Sequence, residues 1–245
     1  MIDKCIVGVF KALVKMRWAP LFLLLCGMLV GFSLIPDRKI VRIVAFGDSI
    51  TAPRKGVDQV FAQRLPDLLD GKIQIEIINS GVGSSHSGTI DDNAIANVRH
   101  GRDRFEEEVL AQHPDLVIIG FGTNDAYIDS KTPGGASRIS LDQYRDNLVY
   151  MITELQKRKV RVVLMAPNPL SAPRPEFQRL RLYEYVKVVR ALAKEYHTGL
   201  ADNYRLFMDY GRMHDGYASL LLDGVHPNDE GHRLIAENLA KKIQI

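Results

Sequence analysis

The chain has 245 residues, of which 46% are hydrophobic and 25% are charged, a composition that suits one globular domain with a sizeable core. The formal net charge of +3 comes from residues 1–36, which hold four basic side chains and one acidic side chain. The remaining residues carry 28 basic and 28 acidic side chains and are neutral overall. A neutral domain offers no basic face for DNA or RNA, so no nucleic-acid partner is expected.

The first element along the chain is an apolar segment near the N-terminus. Residues 19–35 form a run of 17 residues without a charge, rich in leucine and preceded by four cations. A transmembrane helix needs roughly 17 to 25 apolar residues, and cations at one end favour leaving that end in the cytoplasm. We therefore expect residues 1–36 to be a basic region with one hydrophobic helix that anchors the protein in a membrane. Residues 37–245 would then form a periplasmic or extracellular domain.

A cleaved signal peptide is the alternative to this anchor. Gly31 and Ser33 are small residues in the arrangement that precedes a signal-peptidase cut, which would fall after Ser33. The long basic region and the length of the apolar run favour an uncleaved anchor. Cys26 weakly suggests a lipoprotein site, but the bulky Leu25 before it argues against one. Since Cys5 is the only other cysteine, the domain 37–245 has no disulfide and no thiol nucleophile.

Apolar runs and amphipathic stretches alternate through this domain. Most of the runs are nearly continuous in Val, Ile and Leu, as expected for strands that are covered on both faces. The predicted strands are residues 40–46, 73–78, 115–121, 160–166 and 198–201, and the predicted helices are residues 57–70, 91–112, 141–158, 176–197 and 228–243. The alternation predicts an α/β fold, a three-layer α/β/α sandwich around a parallel sheet of about five strands.

Three of the predicted strands end in polar, glycine-rich strings. These are Gly47-Asp48-Ser49 after the first strand, residues 79–85 after the second and residues 120–125 after the third. The carboxyl ends of parallel strands gather ligands and catalytic groups at one edge of a sheet, so the three strings should meet. Asp223 and His226 lie in the loop before the last helix and supply a carboxylate and an imidazole. A serine, an acid and a base are what acyl transfer from an ester requires.

With these motifs the chain resembles an SGNH hydrolase of the GDSL esterase/lipase superfamily. The matching blocks are Gly47-Asp48-Ser49, Gly122-Thr123-Asn124-Asp125 and Asp223-x-x-His226-Pro227, in the order of the family and spread over residues 40–245. The resemblance implies the SGNH, flavodoxin-like version of the α/β/α sandwich. It also implies a serine esterase that needs no cofactor, and no spacing of histidines and carboxylates in the sequence suggests a metal site.

The resemblance also implies roles for individual residues. Ser49 would be the nucleophile, because a hydroxyl near neutral pH needs a base to remove its proton as it attacks. His226 would be that base and then the acid for the leaving group, and Asp223 would orient the imidazole. The backbone N–H of Ser49 and the side-chain amide of Asn124 would stabilise the oxyanion.

A third oxyanion donor is expected from the loop after the second strand. The family usually has a glycine five residues after the asparagine at position 79, where this chain has Ser84 preceded by Gly83. We predict that Gly83 provides the backbone N–H, with Ser84 as the alternative. Asp48 and Asp125 are expected to orient loops rather than to react.

The expected substrates are small carboxylic esters, either of lipids such as lysophospholipids or of acyl and acetyl groups on a glycan. The expected partners are this substrate and a membrane, through the N-terminal helix. The rival interpretation is a non-catalytic, membrane-tethered module that binds glycan or lipid on the same fold. His86, in the loop after the second strand, is expected either to line the substrate pocket or to be solvated, and His232 to be structural.

Overall fold

A computed structural model describes residues 40–69 and 74–243 of the protein. Five strands form one parallel sheet in the order β2-β1-β3-β4-β5. The strands are β1 (Ile40–Gly47), β2 (Gln74–Gly81), β3 (Leu116–Gly120), β4 (Arg161–Ala166) and β5 (Gly199–Asp202). All five predicted strands are confirmed, and β2 continues three residues beyond its predicted end at residue 78.

Helices cover both faces of the sheet, which confirms the predicted three-layer α/β/α sandwich. They are α1 (Phe61–Leu68), α2 (Gly101–Glu108), α3 (Leu141–Lys157), α4 (Glu176–Glu195), α5 (Asn203–Met213) and α6 (Asp229–Ala240), with short 3₁₀ turns at Leu110–Gln112 and Ala218–Leu220. Side chains of α2, α3 and α4 share one core with the sheet, and those of α1, α5 and α6 share the other.

The two cores explain the continuous apolar runs of the sequence. Successive side chains of a strand point to opposite faces of the sheet. In β1, Val44 and Phe46 lie in the first core, whereas Ile43 and Ala45 lie in the second, and all four are fully buried. A strand covered on both faces therefore has no polar alternation.

The predicted helix over residues 91–112 is wrong in its first part, because residues 91–100 form a loop before α2. Polar side chains bind the backbone N–H groups of this segment, in competition with helical hydrogen bonds. The Asp103 carboxylate accepts from the N–H of Ile90 at 2.9 Å and of His100 at 2.8 Å. These bonds fix the loop and leave only Gly101–Glu108 as a helix.

Helix α5 was not predicted. Only Asn203 and Phe207 of its 11 residues are buried, so its apolar pattern is too sparse to distinguish it from a loop. The Asp202 carboxylate, at the end of β5, accepts from the N–H of Arg205 at 3.0 Å and caps the first turn of the helix.

The hydrophobic helix predicted within residues 19–35, and the boundary between residues 36 and 37, lie outside the described residues. Among the helices that the structure describes, none combines the length and apolar character needed to cross a membrane.

Three glycines at the carboxyl edge of the sheet position the loops of the candidate site. Gly47 pairs with Gly81 on one side and with Gly120 on the other, so β1, β2 and β3 end at the same level. A Cβ atom on Gly47 would lie 2.3 Å from Thr51 Oγ1, and one on Gly81 would lie 2.2 Å from the backbone nitrogen of Ala52. The missing side chains let the loop after β1 fold back over the strand ends. For the strand order 2-1-3-4-5, this is also the switch point at which ligands bind.

Candidate active site

A tight turn after β1 presents Ser49. The backbone N–H groups of Thr51 and Ala52 donate to the carbonyl of Asp48 at 3.1 and 3.0 Å, and the N–H of Ile50 donates to the Asp48 carboxylate at 2.9 Å. Within the described part of the chain, the backbone N–H of Ser49 has no hydrogen-bond partner. The turn therefore offers both the hydroxyl and the N–H of Ser49 to a ligand.

The structure brings Ser49, His226 and Asp223 together in one chain of hydrogen bonds. The Ser49 Oγ atom lies 2.9 Å from His226 Nε2, although the residues are 177 positions apart, and His226 Nδ1 lies 2.7 Å from Asp223 Oδ2. The other oxygen of Asp223 accepts from the backbone N–H groups of Val225 and His226 at 3.1 and 2.9 Å. The carboxylate is thus fixed by its own loop and orients the imidazole.

The charges around His226 suit a base. Burial alone raises the pKa of Asp223, but hydrogen bonds from the backbone and side chain of His226 outweigh it and bring this pKa to about 2. Burial lowers the pKa of His226, the hydrogen bond to Asp223 opposes the shift, and the charges of Arg54 and Arg174 lower it further. At neutral pH the imidazole is therefore neutral. With Nδ1–H directed to Asp223, its Nε2 can accept the proton of Ser49.

Asn124 lies in the loop after β3, next to the loop after β2. One N–H of its side-chain amide donates to the carbonyl of Ser85 at 3.0 Å, which fixes the side chain and leaves the second N–H for a ligand. Gly83 and Ser84 are exposed in the same neighbourhood, and neither donates its backbone N–H to another described residue.

The backbone distinguishes Ser84 from Gly83. Ser84 has a φ of +64°, the left-handed conformation that favours glycine, whereas a Cβ atom on Gly83 would meet nothing within 4 Å. The Asn79 amide, from which this position was counted, donates to the carbonyl of Thr51 at 2.8 Å and ties the end of β2 to the Ser49 turn. Ser84, at the position where the family usually has glycine, thus has a backbone conformation that glycine adopts more easily than other residues.

Asp48 and Asp125 are fully buried and make the contacts that an orienting role requires. Asp48 caps the N–H of Ile50, while Asp125 accepts from the hydroxyl and the N–H of Ser87 at 2.5 and 2.9 Å. Burial, with a smaller contribution from the charge of Asp125, raises the pKa of Asp48 to about 7. Burial also raises the pKa of Asp125 to about 6, against the hydrogen bonds from Ser87.

Arg104 is a part of the site that the sequence analysis missed. Its fully buried guanidinium donates to the carbonyls of Ser80 at 2.6 Å and Gly47 at 2.7 Å, so it ties the ends of β2 and β1 together. It also pairs with Glu108 at 2.7 Å and lies over the ring of Phe46, 4.4 Å from the centroid. An arginine beside three glutamates in a helix is typical of a solvated face, so no local signal distinguished it.

The histidines near the site are buried, contrary to both expectations for His86. Its ring stacks on that of His100, with centroids 3.5 Å apart, and its Nε2 lies 3.2 Å from the carbonyl of Asn93. Burial lowers the pKa of His86 to about 4. His232 is also buried, and its Nδ1 accepts from the N–H of Phe61 at 3.3 Å, in line with its expected structural role. In the part of the chain that the structure describes, no three His, Cys, Asp or Glu side chains are arranged to hold a metal ion.

Comparisons of sequence connect this site to known proteins. A profile described as the GDSL-like lipase/acylhydrolase family matches residues 45–234. The Bacillus subtilis protein named uncharacterized lipoprotein YqeF is 29% identical over 225 residues, which cover 80% of this chain and 87% of that protein. An acetylxylan esterase of Geobacillus stearothermophilus is 26% identical over 174 residues, which cover 70% of this chain and 74% of that enzyme.

Solved structures show the same fold. Axe2, an acetylxylan esterase from Geobacillus stearothermophilus, superposes with a TM-score of 0.67 at 25% identity, over 84% of this chain and 94% of that one. A lipase/acylhydrolase from Enterococcus faecalis superposes with a TM-score of 0.63 at 28% identity, over 84% of this chain and all of that one. The chain therefore belongs to the GDSL-like lipase/acylhydrolase family of SGNH hydrolases and is a hydrolase that acts on ester bonds.

Proposed function

We propose that the protein is a serine carboxylesterase that forms an acyl-enzyme on Ser49. The observation that carries this proposal is the 2.9 Å contact between Ser49 Oγ and His226 Nε2. As Oγ bonds to the ester carbonyl carbon, its proton passes to Nε2. The imidazolium then gives this proton to the alcohol oxygen as the carbon–oxygen bond breaks, and Asp223 stabilises the transient positive charge.

A water molecule completes the cycle. His226 takes a proton from this water as it attacks the acyl group on Ser49, and then returns the proton to Ser49 Oγ as the acid leaves. In both halves, negative charge develops on the carbonyl oxygen beside Ser49. The N–H of Ser49 and the amide of Asn124 are its proposed donors, with the N–H of Gly83 as the third and that of Ser84 as the alternative.

For the substrate we propose a small acyl ester, above all an acetyl ester on a carbohydrate. Two relatives named acetylxylan esterase support this choice, at 26% and 25% identity. Lipid and lysophospholipid esters are the alternative, so a panel of esters from acetyl to dodecanoyl tests the choice.

We propose further that residues 1–36 anchor the catalytic domain, residues 37–245, at the outer side of a membrane. The apolar run of the sequence supports an anchor, and a relative named as a lipoprotein supports association with a membrane. N-terminal sequencing of the mature protein in the membrane fraction tests this: an intact Met1 end supports an anchor, whereas a start at Leu34 shows cleavage after Ser33.

The catalytic proposal is tested with a fluorophosphonate probe, which reacts with activated serines. Wild-type protein should be labelled and should hydrolyse p-nitrophenyl acetate, whereas Ser49→Ala should do neither while it keeps the circular dichroism spectrum of the wild type. If wild-type protein is no more reactive than Ser49→Ala, the catalytic proposal fails and a binding module on this fold becomes the better interpretation.

A further inference from the structure

Two arginines, Arg54 and Arg174, flank the catalytic groups and have no part in the mechanism above. Arg54 lies five residues after Ser49, in the loop between β1 and α1. Arg174 lies in the loop between β4 and α4, and this loop packs on the loop that holds Asp223 and His226. The contact is made by the N–H of Ser171, which donates to the carbonyl of Gly224 at 2.9 Å, while the N–H of Arg174 donates to the carbonyl of Ser171 at 3.0 Å.

Neither guanidinium has a partner within the described residues, although both side chains are partly buried. The Nε atoms of Arg54 and Arg174 are inaccessible to solvent and make no hydrogen bond. Two other arginines of intermediate burial are paired, Arg64 with Asp229 at 2.7 Å and Arg138 with Asp129 at 2.8 Å, whereas Arg179 on α4 resembles Arg54 and Arg174 in having a buried Nε without an acceptor. Because no described carboxylate pairs with either guanidinium, the positive charges and the terminal N–H groups of Arg54 and Arg174 remain available to an anionic ligand.

The positive charges of Arg54 and Arg174 act on the reacting atoms themselves, since both lower the pKa of His226. The nearby carboxylate of Asp223 does not serve as their partner. One of its oxygens accepts from His226 Nδ1, and the other accepts from the N–H groups of Val225 and His226. The surroundings of His226 thus combine two cations that pair with no described carboxylate and one carboxylate, Asp223, whose two oxygens both accept hydrogen bonds from its own loop.

The position of the two arginines also indicates which half of an ester they contact. In the proposed mechanism His226 delivers its proton to the alcohol oxygen, so the alcohol portion lies on the His226 side of the carbonyl carbon. The carbonyl oxygen of the ester points away from His226, to the backbone N–H of Ser49 and the side-chain amide of Asn124. Groups beside His226 therefore face the alcohol portion of the substrate.

We propose that Arg54 and Arg174 form a subsite for a carboxylate or phosphate group on the alcohol portion, so that the substrate is an anionic ester. This inference rests on the proposed esterase function. A guanidinium binds either anion through two parallel N–H bonds, which supplies orientation as well as affinity. On a glycan the group would be an acidic sugar or a phosphate substituent, and on a lipid it would be the phosphate of a head group.

The test compares three acetate esters of similar size: 4-acetoxybenzoate, 4-acetoxyphenyl phosphate and the neutral methyl 4-acetoxybenzoate. For each protein, kcat/KM for an anionic ester is divided by kcat/KM for the neutral one. Both values come from the same protein sample, so the ratio does not depend on the fraction of enzyme that is folded. The same esters are used for every variant, so differences in leaving group do not affect the change in this ratio from one variant to another. The variants are Arg54→Gln and Arg174→Gln, with Arg54→Lys as the conservative change. The control is Arg158→Gln, which removes one positive charge at the opposite edge of the sheet, where α3 leads into β4.

We expect each glutamine variant to lower the ratio at least tenfold, because one charge-assisted hydrogen bond is worth one to two factors of ten. The lysine variant should keep part of the preference, and Arg158→Gln should keep all of it. If the ratio falls for only one of the two anionic esters, the subsite binds the anionic group of that ester. Unchanged ratios in both glutamine variants, or an equal loss in Arg158→Gln, would overturn the subsite. If wild-type protein hydrolyses none of the three esters, it is the esterase proposal that fails.

Discussion

The buried carboxyl group of Asp48 leads to a prediction about the pH dependence of stability. Its pKa is about 7 in the folded protein, raised chiefly by burial, against an ordinary value of 3.8. The folded state therefore binds more protons than the unfolded state between these two values. Stability falls in that range as the pH rises. Asp48→Asn removes the titrating group and keeps an oxygen that can accept from the N–H of Ile50.

The magnitude follows from the two pKa values. Well below pH 3.8 the carboxyl is protonated in both states and adds no dependence on pH. Between pH 5 and pH 8 the Asp48 carboxyl is ionised throughout in the unfolded state, whereas in the folded state it becomes ionised only near pH 7. Titration of this group therefore lowers the free energy of unfolding of the wild type by about 2.5 kcal/mol over this range. Asp48→Asn lacks the titrating carboxyl and should not show this decrease. The difference in unfolding free energy between Asp48→Asn and the wild type should therefore shift in favour of the variant by about 2.5 kcal/mol as the pH is raised from 5 to 8.

Urea unfolding followed by circular dichroism at pH 5, 6, 7 and 8 measures this difference. The two proteins are compared at each pH, so titration of other groups, including Asp125, cancels to first order. The reasoning is refuted if the difference in unfolding free energy between Asp48→Asn and the wild type is the same at pH 5 and pH 8.

Four further predictions concern the site and its support. His226→Ala should lower kcat for p-nitrophenyl acetate by roughly 100- to 10,000-fold with little change in the urea midpoint, and retention of a tenth of the wild-type rate would contradict its role as base. Asn124→Ala should lower kcat by about 100- to 1,000-fold, whereas an unchanged kcat would remove it from the oxyanion hole. In the pH profile of kcat/KM, the fall in activity on the acid side should have its midpoint below pH 6.5. This midpoint should move to higher pH in Arg54→Gln, because removing a neighbouring cation lets the His226 imidazole protonate more easily, and an unchanged midpoint would contradict this. Arg104→Met should lower the free energy of unfolding, measured with urea, by about 3–5 kcal/mol, because it leaves buried acceptors unpaired. Arg158→Gln should lower it by less than about 0.5 kcal/mol, and equal decreases in the two variants would show that the buried contacts of Arg104 contribute little.

The sheet and the proximity of the candidate catalytic residues could be predicted because their signals are local in the sequence. A strand covered on both faces gives a continuous apolar run, and four of the five strands have one. Ser49, Asn124, Asp223 and His226 lie in short strings next to strand or helix ends. The order of a parallel α/β fold brings these ends to one edge, so spacing along the chain was enough to group them.

Other features depend on contacts between distant residues and left no local signal. Arg104 binds carbonyl oxygens of Gly47 and Ser80, which lie 57 and 24 residues away, and the sequence around it is typical of a solvated helix. The loop over residues 91–100 is fixed by the Asp103 carboxylate, which composition alone does not distinguish from a helical residue. The partial burial of Arg54 without a partner is likewise visible only in the folded chain.

The central claim is that Ser49 is the residue that carries the acyl group. Peptide mapping by mass spectrometry after treatment with a fluorophosphonate tests it most directly, because the adduct stays on the attacking oxygen. We predict one adduct per chain, on the peptide that contains Ser49, and a much slower reaction in His226→Ala. An adduct on another residue, or no adduct on folded wild-type protein, would contradict the account.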